Sequence, residues 1–177
     1  AAKEMRGRIE SMLRVSTHGF WVGTFHGLAH RLLKLHWREA GLAQNFQILD
    51  SDDQLRLIKR IVKELGLDDS RWPPKQVQGF INAQKDEGLR APHIDAGGDF
   101  YLQTMLRAYT AYEGACARGS LVDFAELLLR AHELWLNNPA LLAHYQARFR
   151  HILVDEFQDT NAVQYAWLRV LAGKQVP

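Results

Sequence analysis

HILVDEFQDTN, from His151 to Asn161, carries an apolar run, Ile152 to Val154, straight into two adjacent acids, Asp155 and Glu156. So short a β-prone run reads as a buried strand that stops at a polar loop. A strand needs a partner. The other β-prone run is FWVGTF, Phe20 to Phe25, with aromatic and β-branched residues in succession. About 125 residues separate the two, and their pattern is helical. Strands that far apart fit a parallel sheet with a helical lobe inserted between them. The expected fold is therefore mostly α with a small parallel β part: a partial α/β domain interrupted by an all-helical one.

Working outward, Met5, Ile9, Met12 and Leu13 recur at helical spacing, as do Leu28, Leu32, Leu35 and Trp37. In DSDDQLRLIKRIVKELGL the apolar face is Leu55, Ile58, Val62 and Leu65. Ser51 with Gln54 makes a capping box there, and Asp50 with Asp53 offers a competing register. Gly66 suits a helix end that needs positive φ, and Pro73 and Pro74 suit the first turn of the next helix. A loop-rich stretch around residues 86–99 precedes a helix from about Phe100 to Arg118. Ser120 and Asp123 form a capping box for a helix whose one face is Leu121, Phe124, Leu128, Ala131 and Trp135. Asn137, Asn138 and Pro139 break it. A short helix to about Phe149 follows, and a last one from about Asn161 to Leu171, with Asp159 or Thr160 as its cap.

Composition narrows the function. The chain has 177 residues, 47% of them hydrophobic, enough for one substantial core or a core plus a lobe. Lys and Arg number 22 against 20 acids, so any nucleic-acid contact comes from a local patch and not a global field. Cys116 is the one cysteine, which excludes an internal disulfide and fits a reducing compartment. The histidines show no zinc-like spacing beside it. No apolar run approaches the roughly 20 residues that span a membrane. The absent initiator Met and the start within a helical pattern suggest a piece of a longer chain.

Ligands of open parallel α/β sheets bind beyond the carboxyl ends of the strands. Asp155 and Glu156 sit at that end of one expected strand, and Thr24, Phe25 and His26 at that end of the other. An acid after a strand can hold Mg²⁺, and a neighbouring acid can orient and deprotonate an attacking water. A bare acid pair also suits a solvated strand end, and the longer string decides between them. LVDEFQDTN resembles the DExx box of superfamily-one DNA helicases of the UvrD/Rep/PcrA type. GTFHGLAHRLL resembles that family's motif Ib, AAKEMRGRIE the tail of motif Ia, and LVDFAELL the segment Ic. The matches keep the family's order from one end of the chain to the other.

The resemblance implies a P-loop-type motor domain (1A) made from residues 1–26 and 150–177, with an inserted helical domain (1B) over 27–149. It implies an ATP-dependent DNA helicase moving 3′ to 5′, with roles in nucleotide-excision and mismatch repair, and a cytoplasmic, nucleoid-associated place in bacteria. ATP and Mg²⁺ are the implied cofactors. Single-stranded DNA, the duplex junction and repair proteins are the implied partners. Asp155 is then the Mg²⁺-associated acid and Glu156 the general base. Gln158 is either the nucleotide-sensing residue or a plain polar loop residue. Thr24 and His26 match contacts to the phosphate backbone of single-stranded DNA, where hydroxyl and imidazole donors position a strand without reading it. The other reading of His26 is a core histidine. Lys85, at a helix end before a flexible loop, is a further DNA candidate. Asp123 is explained by its cap, Phe25 and the five tryptophans by packing. No G-x-x-x-x-G-K-[ST] loop is present, and Gly173-Lys174 follows a helix instead of opening one. The chain alone is therefore expected not to hydrolyse ATP. The other readings are a subunit of a helicase–nuclease and a non-catalytic DNA-binding or protein-interaction module.

Overall fold

The computed structural model describes residues 2–173, so the expected Gly173-Lys174 pair lies partly outside the described residues. The α-helices among them are α1 (Ala2–Leu13), α2 (Phe25–Leu35), α3 (Ser51–Glu64), α4 (Pro74–Asp86), α5 (Phe100–Gly119), α6 (Phe124–Asn137), α7 (Pro139–Arg148) and α8 (Ala162–Ala172). The strands are β1 (Gln47–Leu49) and β2 (Leu121–Asp123). They pair in parallel, with Ile48 opposite Val122.

The protein is thus mostly helical with a small parallel sheet, but the strands are not the expected ones. Phe20–Phe25 is not a strand: Thr24 caps α2 and Phe25 opens its first turn. His151–Asp155 is not a strand either; it is irregular, and Leu153 is 96% exposed. Both runs are apolar, but a strand also needs a neighbour for its N–H and C=O groups, and among the described residues neither has one. The observed strands lie inside the stretch expected to be all helix. Each is three residues long and runs directly into a helix capped by an aspartate, Asp50 for α3 and Asp123 for α6.

Asp50 settles the register of α3, because its carboxylate accepts from the Asp53 N–H at 2.8 Å. Gln54 is then not needed as a capping partner. It joins Leu57, Ile58, Ile61 and Val62 on the buried face. Gly66 has the expected positive φ of 67°. Ser120 does not cap α6; it ends α5 in the left-handed region. Asn161 caps α8 with Gln164 completing the box, and so displaces Asp159 and Thr160 from that role.

Two hydrophobic cores form. One joins α2, α6, α7 and α8 through Leu32, Leu33, Leu128, Trp135, Tyr145 and Trp167. The other joins α3, α4 and α5 through Ile58, Val62, Ile81, Met105, Tyr109 and Tyr112. The sheet lies across the divide, with Val122 in the first core and Leu49 in the second. The stretch 27–149 therefore does not correspond to one core, since α2, α6 and α7 pack with α8. Helix α1 buries no residue, and Met12 remains 82% exposed. Arg6 ties it to the chain by donating to the Val22 carbonyl at 3.2 Å.

Candidate functional site

Two groups of expected site residues form on the first core. At the start of α2, the Thr24 hydroxyl oxygen accepts from the Gly27 N–H at 3.2 Å, which satisfies one of the helix's free amides. The Thr24 O–H remains a donor on an exposed side chain, beside the positive end of the helix dipole. His26 is half-buried, with its ring edge-on to Phe124 at 6.1 Å. Burial holds its imidazole below the ordinary value, while the Asp86 carboxylate pulls it back up. Phe124 is a residue the sequence reading missed. Its spacing puts it on the apolar face of α6, yet it is 48% exposed at the first residue of the helix. Of the rest of that expected face, Leu128, Ala131 and Trp135 are buried, while Leu121 is half-buried and lies in β2 instead of the helix.

The second group lies on the segment entering α8. Asp155 and Glu156 are both exposed, and Asp155 Oδ1 accepts from the Glu156 N–H at 3.0 Å. Glu156 sits at φ 52°, ψ 42°, in the left-handed region that non-glycine residues rarely occupy. Gln158 lies in the short 3-10 turn Phe157–Asp159 and is exposed. The groups are linked through packing: Phe25, between Thr24 and His26, meets Trp167 of α8 edge-on at 6.3 Å.

Among the described residues no group of three or more acidic, histidine or cysteine side chains converges on one point. Mg²⁺ keeps several waters and takes one or two carboxylates together with phosphate oxygens. Two neighbouring exposed carboxylates meet that requirement.

Lys85 is not at the surface. It is 2% exposed, and its ammonium donates to Asp123 Oδ2 at 2.8 Å and reaches Glu126 Oε2 at 2.9 Å. Burial pulls it down, but Glu126 and Asp123 outweigh this and hold it above its ordinary value. A lysine so enclosed cannot meet a DNA phosphate. Asp123 is likewise more than a cap. Its Oδ1 accepts from the Glu126 N–H at 2.7 Å, and its Oδ2 from Tyr112 Oη at 2.6 Å. No described helix is long and apolar enough to cross a membrane.

The family described as "UvrD/REP helicase N-terminal domain" matches residues 1–176. DNA helicase II of Escherichia coli is 62% identical over 173 residues, covering 98% of this chain and 24% of that protein. DNA helicase II of Haemophilus influenzae is 53% identical over 178 residues, with the same 98% and 24% coverage. The ATP-dependent DNA helicase PcrA of Bacillus subtilis is 35% identical over 175 residues, again covering 98% and 24%. The chain thus spans about a quarter of the length of these relatives. With a family match over nearly every residue and the DExx string intact within it, the chain belongs to the UvrD/REP helicase family, through its N-terminal domain.

Proposed function

We propose that the intact protein is an ATP-dependent DNA helicase that moves 3′ to 5′ on single-stranded DNA and serves excision and mismatch repair together with the proteins of those pathways. The chain would contribute part of the first motor domain and the inserted lobe beside the duplex junction. The core shared by α2, α6, α7 and α8 supports grouping those helices with the motor part, and the separate core of α3 to α5 supports their forming the lobe. The observation that carries this reading is the exposed Asp155–Glu156 pair, on a backbone turned into the left-handed region at its second acid.

Mg²⁺, when bound, would supply charge neutralisation for phosphoryl transfer. The Asp155 carboxylate would hold it. Glu156 would orient the attacking water and accept its proton, and Gln158 would sense the nucleotide. Single-stranded DNA would cross the start of α2, with its phosphates near Thr24, His26 and the unpaired amides of the first turn. The exposed face of Phe124 suits a base, since every base offers a π-face and stacking needs no sequence.

The test is Glu156→Gln in the intact protein. It removes the base and leaves the metal-holding carboxylate. Nucleotide binding should persist while hydrolysis falls about 10²–10⁴-fold. A near-normal steady-state ATPase would show that Glu156 is not the base.

A further inference from the structure

Lys85 belongs to a buried network of charges that neither the nucleotide site nor the DNA edge uses. Two of its cations, Lys85 and Arg90, come from one side, and most of its acids come from the other. Lys85, at the end of α4, meets Asp123 and Glu126 at 2.8 and 2.9 Å. Arg90, just beyond α4, meets Glu126 and Glu133 of α6, each at 2.6 Å. Tyr112 of α5 donates to Asp123, and Arg130 reaches Glu126 from within α6 at 2.9 Å. The network joins the α3–α5 unit to the first core.

Stability alone gives a poor reason for it. Desolvating several charges consumes most of their attraction, and an apolar layer of the same shape often serves as well. A fully bonded polar layer does something an apolar one does not: it allows a single relative placement of the elements it joins. Here the placement is specific. The residue after Lys85 is Asp86, and the residue after Asp123 is Phe124. Asp86 acts on the charge of His26 from α4, and Phe124 meets the ring of His26 from α6. Asp123 thus lies one residue behind the ring that meets His26, and Lys85 reaches it from a different element.

We infer that Lys85 and Asp123 are positioning residues for single-stranded DNA: their buried ion pair holds Phe124 against His26 and so makes the grip at the start of α2 depend on where the α3–α5 lobe sits. This rests on the proposed DNA role of His26.

The test uses the intact protein and a fluorescent oligothymidylate, with affinity read by anisotropy for Lys85→Met, His26→Ala and the two combined. Met keeps the apolar stem and removes the charge. Lys85→Met should weaken binding about fivefold or more, and the combined variant should bind no worse than His26→Ala, because groups acting through one contact are not additive. Basal ATPase of Lys85→Met should be unchanged. Unchanged affinity in Lys85→Met, or losses that multiply in the combined variant, overturns the inference while leaving the DNA role of His26 standing. Unchanged affinity in His26→Ala overturns the DNA role itself and the inference with it. If Lys85→Met does not fold, the neutral pair Lys85→Met/Asp123→Asn replaces it, retains the cap, and is judged by the same outcomes.

Discussion

At Glu156 the backbone adopts a conformation that costs a residue with a Cβ on the order of 1 kcal/mol or more, with no side-chain cap to hold it there. The role proposed for this acid would give that strain a use. Two truncations separate the conformation from the chemistry. Both Glu156→Gly and Glu156→Ala remove the carboxylate, so neither should support hydrolysis in the intact protein. Glycine accepts positive φ and alanine does not, so Glu156→Gly should be the more stable of the two by about 1 kcal/mol. Equal melting midpoints for the pair would show that the turn stores no strain. The family was legible because a DExx string is a chemical signature that survives a wrong guess about the strand before it. Lys85 was not. A lysine at a helix end before a glycine-bearing loop is normally solvated, and Asp123 and Glu126, which draw it inside, lie far along the chain. Phe124 was missed for the converse reason: its place in the apolar period is right, and only the start of α6 at that residue leaves its ring outside.

The same short pattern, a strand running into an aspartate cap, occurs twice, and the two copies differ in burial. Asp50 is exposed and bonds the Asp53 N–H. Asp123 is 2% exposed and bonds the Glu126 N–H, Tyr112 and Lys85. Asp50→Ala should cost only the cap, about 0.5–2 kcal/mol. Asp123→Ala should cost about 3–5 kcal/mol, because it strands a buried ammonium and hydroxyl. Urea denaturation of both variants decides it, and similar losses would mean that the buried charge is relieved by water or by Glu126 alone. Helices were legible from their period, and the ends of α3, α4 and α5 from Gly66, the Pro73–Pro74 pair and the loop before Phe100. The sheet was not, for a physical reason. Three residues cannot display an alternation, so β1 and β2 carry no periodic signal. The runs that do look β-prone, before Thr24 and before Asp155, have the composition of strands without a partner among the described residues.

Across the whole molecule, two apolar cores meet at a layer of charge, and that layer together with several half-buried histidines sets how stability depends on pH. Burial holds the imidazoles of His26, His30, His36 and His132 below their ordinary value of 6.5. His30 Nε2 and His132 Nδ1 are enclosed without a hydrogen-bond partner, which a proton would make worse. A depressed imidazole resists a proton that the unfolded chain accepts. Its contribution is present above pH 6.5 and is lost as pH falls through the folded value. Glu126 follows at lower pH. Burial alone would raise its carboxyl, but Lys85 and Arg90 dominate and hold it far below its ordinary 4.5. Its contribution is complete above pH 4.5 and is lost progressively below that. Asp86, raised by burial, works in the opposite sense as pH falls through its raised value. Lys85, held above 10.5, stabilises throughout this range and is lost only in strong base. Urea midpoints taken from pH 8 to pH 3 should therefore fall in two stages, a shallow one beginning near pH 6.5 and a steeper one beginning near pH 4.5. His132→Gln should flatten the first stage and leave the second, whatever it does to the absolute midpoint, because only the slope reports the difference in bound protons. A midpoint that stays level down to pH 4.5 would mean that the buried imidazoles are as easily protonated folded as unfolded.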